Sequence, residues 1–548
     1  MKVKIANSLS VGLIIVLMLS LLLSACAQAT PAPTEVPPTA APASTEATAV
    51  PATTQEPPTA APATTEATAA PAAGTETQIV VADHTDIAIL DPHKMQSTTD
   101  EFVWHTVFAG LTRFDATMAN PTPEMAESWD RPDDTTYIFH LRKDVKWHTG
   151  RAFTADDVVW NWSRVQEIGK SGRIAAYMSD VKEVTKVDDN TVQFTLKAPS
   201  AVFLINTPLF VFVDKETVDQ IATKPIGTGA YRFVEWIPND HMTLELNKDY
   251  WDQSINRPDK LIFRPIPEDQ TRLAALQTGE IDVAGNISPA LAGDLKDVSG
   301  VTVYTPKVSA SYWVINMNVT QAPFDNVKVR QAVAAAIDRQ AIWHSVLYDN
   351  GVPSCNPIPA TSWAYDPSQE CGPRDVEKAK KLIAESGVQT PIQVTLKVSS
   401  ADNYPAMAAI IKSNLEEIGF KVDIQVNDFA VWLNDVWVNK NFTITTTSYT
   451  READPDGLMS SVFRKGLGNN VMGYDNPKVD ALFDQAKAIY DQKERAKLYQ
   501  QIVSIVLEDA PLVKVASNFP IWAAGNRVQN VTILPRGFLF FAGMTLAK

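Results

Sequence analysis

The hydrophobic pattern changes character twice along this chain. Leu9 to Leu23 is almost wholly apolar, residues 27–77 carry no aromatic side chain, and from about residue 78 apolar positions recur at strand and helix spacings. In TTYIFHLRKDVKW, Tyr137, Phe139 and Leu141 fall on one side of a half-buried strand, and TQIVVAD and NTVQFTLKAPS also read as strands. FTADDVVWNWSRV reads as a helix, with Thr154 as N-cap and Asp157 at N3 in a variant capping box. Residues 111–223 therefore read as a block of strands with a helix or two.

The later pattern is strand–helix–strand. FDNVKVRQAVAAAIDRQAIWHSVLYDNG predicts one strong helix, capped by Asp325, with Val329, Val333 and Ile337 on one face and Gly351 past its end. RDVEKAKKLIAESG predicts a helix stopped by Gly387. PAMAAIIKSNLEEIGFKVDIQV predicts a helix, a stop at Gly419 and a strand from Phe420 to Val426, and FTITTTSYT the next strand. That order implies a parallel sheet with right-handed crossovers, whose ligands sit at the carboxyl ends of strands.

Composition narrows the class. The 548 residues are too many for one core, so two or three domains are expected. The net charge is −15 and no long Lys/Arg tract follows the first few residues, which argues against nucleic acid as a partner. Lys2 and Lys4 precede the first apolar run, and Leu23-Ser24-Ala25-Cys26 resembles the lipobox of bacterial lipoprotein signals. That resemblance implies a signal peptide over 1–25, lipidation of Cys26, and anchoring to the outer face of the cytoplasmic membrane. An uncleaved membrane helix is the alternative, but the run is short for the ~20 residues a span needs.

Residues 26–77 then read as a disordered tether. PPTAAPASTEATA at 37–49 recurs as PPTAAPATTEATA at 57–69. Such a segment buries too little apolar surface to order itself. In extended form, at about 3.1 Å per residue, it reaches on the order of 150 Å. With Cys26 lipidated, the remaining cysteine count is even. Export makes a Cys355–Cys371 disulfide the natural reading, and so short a loop contributes roughly 3 kcal/mol; two free thiols are the alternative.

The search for catalytic chemistry finds little. There is no Walker loop, no Gly-x-Ser-x-Gly elbow and no His-Glu-x-x-His. PIGTGAY lacks a third glycine and a helix start, so it reads as a turn. The paired aspartates at 133–134, 156–157 and 188–189 read as solvated caps, and the scattered histidines as structural. No metal and no cofactor is expected, and weight moves from catalysis to binding.

Read together, several stretches resemble the family 5 extracellular solute-binding proteins of ABC importers, the peptide and nickel binding group. They are ILDPHKMQSTTD, FHLRKDVKWHTGRAFTADDVVW, PIGTGAYRFVEW, YWDQSINRPDKLIFRPIPEDQTRLAALQTGEIDV, APFDNVKVRQAVAAAIDRQAI, ADPDGLMSSVFR and GYDNPKVDALFDQA, in family order. The resemblance implies an α/β, two-lobed periplasmic-binding-protein-like fold (type II) with an extra α+β domain inserted in the first lobe. Carried onto this chain, the first lobe takes 78–110, 224–312 and 510–548, the inserted domain 111–223, and the second lobe 313–509, with hinge crossings near 312 and 510. It implies a monomeric receptor that closes on its solute and docks on the permease subunits of an importer.

The same resemblance supplies candidate ligand contacts. Tyr312 and Trp313 enter the second lobe at the hinge, where we expect one to contact solute and the other to pack in the core, with Asn316 as polar partner. Trp432 is a candidate for the cleft wall, but Trp437 lies one turn plus one residue away, so the two need not share a face. Met95, Ser97 and Thr98 lie in a loop that borders the cleft in relatives. In peptide-binding relatives an aspartate three residues before an Asp/Glu-Pro pair holds the peptide's α-ammonium. Counting back from Asp454-Pro455 puts Arg451 there, a cation that repels an ammonium, with Glu452 beside it as the alternative anchor. Tyr449 and Asp454 complete the set, and aromatic side chains suit a sugar as well as a peptide. A tethered surface hydrolase and an adhesive wall protein are the weaker readings. The first lacks a catalytic constellation, and the second lacks repeats in the body.

Overall fold

The computed structural model describes residues 77–95, 98–169, 174–401, 403–450 and 454–547. Cys26, Ser97, Arg451 and Glu452 lie outside the described residues, as does the side chain of Thr98. Two mixed sheets organise the molecule into two lobes.

The first sheet has seven strands, in the order Val301–Tyr304, Trp522–Gly525, Val283–Ala284, Gln78–Asp83, Lys260–Pro265, His241–Leu246 and Tyr231–Ile237. Gln78–Asp83 is parallel to both of its neighbours. The second has six, in the order Val352–Pro353, Leu512–Asn518, Ser311–Met317, Ile444–Thr450, Ile392–Ser399 and Phe420–Asn427. Ile392–Ser399 runs parallel to Phe420–Asn427 and to Ile444–Thr450, and the helix Tyr404–Glu416 makes the crossover that the hydrophobic pattern required. Leu512–Asn518 belongs to the second sheet, held by Ser311–Met317 along its length. The return to the first lobe expected at 510 therefore falls after Asn518.

A four-stranded antiparallel sheet, Ala126–Asp133, Thr136–Leu141, Thr191–Leu196 and Val181–Asp188, carries the helix Ala155–Ile168. Tyr137, Phe139 and Leu141 are buried and their neighbours half-buried, as the alternation predicts. Asp157 accepts the Thr154 N–H at 3.0 Å, one half of the expected capping box. It is fully buried, however, and also accepts from Trp147 Nε1 and from the Arg151 guanidinium. The solvated-cap reading fails for this residue because the helix start is roofed by Trp147.

The long helix expected between the Asp325 cap and Gly351 is two helices, Val327–Ala336 and Arg339–Val346. Ile337 is extended between them, and the Asp338 carboxylate accepts the Ala341 N–H at 2.9 Å, capping the second helix. Asn326, one residue past the expected Asp325, caps the first by accepting from Lys328. Among the described residues no helix is long and apolar enough to cross a membrane.

Candidate functional site

The parallel strands of both sheets end at a common cleft that is open to solvent. His84 follows the strand Gln78–Asp83 and Asn286 follows Val283–Ala284, so the first wall sits at the carboxyl ends of parallel strands. Ser448 and Thr450 end the strand Ile444–Thr450 on the opposite wall, where Ser311 and Trp313 begin their own strand.

The first wall is braced from behind. Arg272 is fully buried and donates to the carbonyls of Gly285 at 3.0 Å and Asn286 at 3.1 Å, and it pairs with Asp269. Asp269 in turn accepts the Ser288 N–H at 3.2 Å. Asn286 has a left-handed backbone, φ 48°, and donates to Asp83 Oδ1 at 2.7 Å. The loop after the short strand Val528–Gln529 contributes Arg536, whose buried Nη1 lies 2.7 Å from the buried Glu101 carboxylate. On the second wall, Thr450 Oγ1 donates to Ser311 Oγ at 3.2 Å and the Tyr404 hydroxyl to Ser448 Oγ at 3.1 Å. These bonds fix polar side chains on both faces of the cleft before any solute arrives.

Side-chain alternation separates Tyr312 from Trp313. Trp313 lines the cleft, with its ring 4.8 Å from that of Tyr404. Tyr312 points to the other face, where it is buried and donates to the Leu458 carbonyl at 2.9 Å. Asn316 and Tyr449 share that inner face, both buried, with the tyrosine hydroxyl 3.4 Å from Asn316 Oδ1. Neither lines the cleft. Met95 is likewise core, 2 % exposed. Asp454 is committed elsewhere: both its oxygens take the Arg495 guanidinium, at 2.9 and 3.1 Å, and it caps the helix Pro455–Phe463. Placing Asn316, Tyr449, Asp454 and Met95 among solute contacts is therefore corrected by the direction in which each points.

Trp432 and Trp437 meet, with ring centroids 5.1 Å apart. The backbone over Asn434–Val438 is a π-turn, whose i to i+5 spacing puts on one face two residues that an α-helix would separate. With Tyr404, Phe429 and Leu433 they line a recess, and Ser448 lines both this recess and the cleft. Cys355 and Cys371 are joined in a disulfide, away from the cleft.

Sequence reasoning missed Asp269, Asn286, Ser288 and Arg536. The Asn286 position was findable, since Gly285-Asn286 follows a short apolar strand. Arg536 lies in a C-terminal loop whose sequence gives no sign of lining the cleft.

Residues 120–470 match the family model of bacterial extracellular solute-binding proteins, family 5, middle region. The chain is 30% identical over 483 residues to the heme-binding protein A of Haemophilus influenzae, covering 80% of this chain and 87% of that protein. It is 29% identical to the di/tripeptide-binding protein 3 of Pseudomonas aeruginosa, covering 86% and 95%. Its fold is similar to that of the periplasmic binding protein DppA from Helicobacter pylori, solved with the peptide STSA. That likeness has a TM-score of 0.76 at 26% identity, over 86% of this chain and 99% of the other. The relatives are binding proteins and not enzymes. The chain belongs to the bacterial extracellular solute-binding proteins, family 5.

Proposed function

We propose that this chain is the receptor of an ABC importer, capturing a peptide or a related oligomeric solute in the cleft and delivering it to a membrane permease. The observation that carries this reading is the two-walled cleft, with Asn286 and Ser288 on one side and Trp313, Ser448 and Thr450 on the other. A solute that touches both walls stabilises the closed arrangement by its differential affinity for it. The names of the relatives, which include di/tripeptide-binding and heme-binding proteins, support a small solute of this range. A lipid on Cys26 and the tether after it hold the receptor near its permease at high effective concentration.

An oligosaccharide is the second reading. The hydroxyl and amide groups of Ser311, Asn350, Asn403 and Asn518 in the lining favour it, since such groups suit a solute without charge. Calorimetric titration with matched free and N-acetylated peptides beside short sugars separates the two. Arg451 at the ammonium position predicts that the blocked peptides bind at least as well as the free ones. A strict preference for free amines, abolished by Glu452→Ala, transfers the anchor to Glu452. Binding of sugars alone overturns the peptide reading. Cys26→Ser is expected to release the protein from membranes, and quantitative retention of that variant overturns the lipid anchor.

A further inference from the structure

We infer that the recess beside the cleft is a subsite for an uncharged, apolar, ring-sized group carried by the solute. The inference rests on the reading of the cleft as the solute site and specifies what that solute presents.

The recess is walled by Tyr404, Phe429, Trp432, Leu433 and Trp437, with Ser448 at its junction with the cleft, and among the described residues none of its lining is charged. Asp435, the charge within the π-turn, is paired: Lys397 Nζ, from the strand Ile392–Ser399, lies 2.7 Å from Asp435 Oδ2 and donates to the Asn441 carbonyl at 2.7 Å. A charged solute group entering the recess loses its water and gains no counter-ion from the described lining, which is strongly unfavourable. Sugar recognition draws on several hydroxyl partners, and three of the polar groups at the recess already have partners within the protein, Thr447 Oγ1 donating to the Ser448 carbonyl at 3.3 Å. The Tyr404 hydroxyl bonds Ser448, and Trp432 Nε1 donates to Thr445 Oγ1 at 3.0 Å. What remains is aromatic surface, set in place before binding by the Trp432–Trp437 contact and by Phe429, 5.9 Å from Trp432.

The occupant follows from continuity. Ser448 belongs to both spaces, and Tyr404 packs on Trp313 of the cleft wall, so an aromatic track runs from the cleft into the recess. Phe429 is 54% exposed and Leu433 39%, an apolar lip that a solute side group spanning both spaces would cover.

The test uses the full chain and two kinds of probe. The first is 4-fluorobenzyl alcohol followed by fluorine NMR, which reads the recess whether or not the natural solute is known. Binding to wild type, lost at least tenfold in Trp437→Ala and Phe429→Ala and restored in Trp437→Phe, is expected. Absence of binding, or binding unchanged in both alanine variants, overturns the subsite. Phe429 is exposed, so its variant stays folded even where Trp437→Ala unfolds. The second probe is a series of N-acetylated tripeptides with Ala, Phe, Asp or Lys at the centre. Phe is expected to bind at least tenfold tighter than Ala, and Asp and Lys more weakly than Ala. Loss of the Phe preference in Phe429→Ala, with the Ala peptide within twofold of wild type, supports the proposal. Equal affinity for Phe and Ala in wild type overturns it while leaving the receptor reading intact. Failure of every peptide, with the fluorinated probe still bound in the recess, overturns the peptide reading instead. A concentration-dependent dimer in wild type that Phe429→Ala abolishes assigns the lip to a second copy and overturns the subsite.

Discussion

Lys487 reaches across to Asp180, Nζ to Oδ1 at 2.5 Å, and so ties the helix Pro477–Ala488 to the loop that precedes the strand Val181–Asp188 of the four-stranded sheet. Tyr490 reinforces the tie. Its hydroxyl donates to the Asp134 carbonyl at 2.9 Å and accepts the Ser200 N–H at 3.3 Å, and the Arg131 guanidinium lies 3.5 Å over its ring. The contact joins elements that lie on opposite sides of the hinge expected from sequence, so it belongs to one arrangement of the lobes. Tyr490→Ala should shift the balance toward the alternative arrangement and change solute affinity several-fold without touching the cleft. Titration calorimetry and small-angle scattering check this, and an unchanged affinity together with an unchanged radius of gyration refutes it. The ion pair itself is partly exposed, so a double-mutant cycle of Lys487→Ala with Asp180→Ala should return only about 0.5–1 kcal/mol, falling with salt.

Asp454 and Asp456 stand two residues apart and predict opposite signs. Asp454 is buried and bidentate on the buried Arg495. Asp454→Asn strands that cation and should cost about 3–5 kcal/mol. Asp456 has a buried Oδ1 that no described group bonds, and burial and the Asp454 charge push its carboxyl up to about 6. A carboxylate with a raised pKa subtracts stability as pH rises from its unfolded value through the folded one. Asp456→Asn should therefore stabilise by on the order of 1–3 kcal/mol at pH 7, and the gain should vanish by about pH 4. Thermal melts of both variants at the two pH values decide it. A stabilised Asp454→Asn, or a pH-independent Asp456→Asn, contradicts the assignment.

His148 carries a pH dependence of the other sign. Its Nε2 donates to the Gly229 carbonyl at 3.1 Å, and its Nδ1 accepts the Gly227 N–H at 3.3 Å, so the ring is neutral with its proton on Nε2. Burial, first, lowers its pKa to about 4. The unfolded ring takes its proton nearer 6.5, so the unfolded state binds more protons between those values. Stability is fully present above about 6.5 and is lost as pH falls toward 4, by up to on the order of 3 kcal/mol. His148→Gln, which keeps a donor and an acceptor, should flatten that slope between pH 6.5 and 4. A slope identical to wild type in denaturant titrations across that range assigns the effect to other groups.

Local patterns carried the parts of the fold that depend on one face meeting a core. Tyr137, Phe139 and Leu141, and the crossover from Ile392–Ser399 to Phe420–Asn427, follow from period two and from a glycine stop. The break at Ile337 did not, because Val329, Val333 and Ile337 keep helical spacing across a residue that is extended; only the capping ability of Asp338 marks the interruption. At the site, the separation of Trp313 on the cleft wall from Tyr312 in the core follows from alternation alone. Trp437 beside Trp432 does not follow, since a π-turn changes which residues are neighbours. Arg536 facing the cleft from a C-terminal loop depends on tertiary placement with no local trace.

The PIGTGAY segment reads as a turn in sequence, and its glycines have a tertiary reason. A Cβ on Gly227 would sit 2.0 Å from the Val107 carbonyl oxygen, and one on Gly229 would sit 2.3 Å from that of Thr106. Both obstacles are backbone atoms at the end of the helix Thr98–Val107, and the Gly229 N–H donates to Val107 O at 2.9 Å. No rotamer change relieves such an overlap, so helix and turn must separate. Overpacking of this kind costs typically 1–3 kcal/mol and more where backbone must move. Gly227→Ala and Gly229→Ala should each destabilise by at least about 2 kcal/mol. Gly293 gives the opposite sign in the same protein. It lies inside the helix Pro289–Leu295, and among the described residues no neighbour comes within 4 Å of where an alanine methyl would project. Gly293→Ala removes backbone freedom from the unfolded chain and should stabilise by about 0.5–1 kcal/mol. Chemical denaturation of the three variants at one pH tests the pair of signs together. A tolerated Gly227→Ala would mean that helix and turn do not meet at this distance in solution, and the packing that orients His148 would go with it.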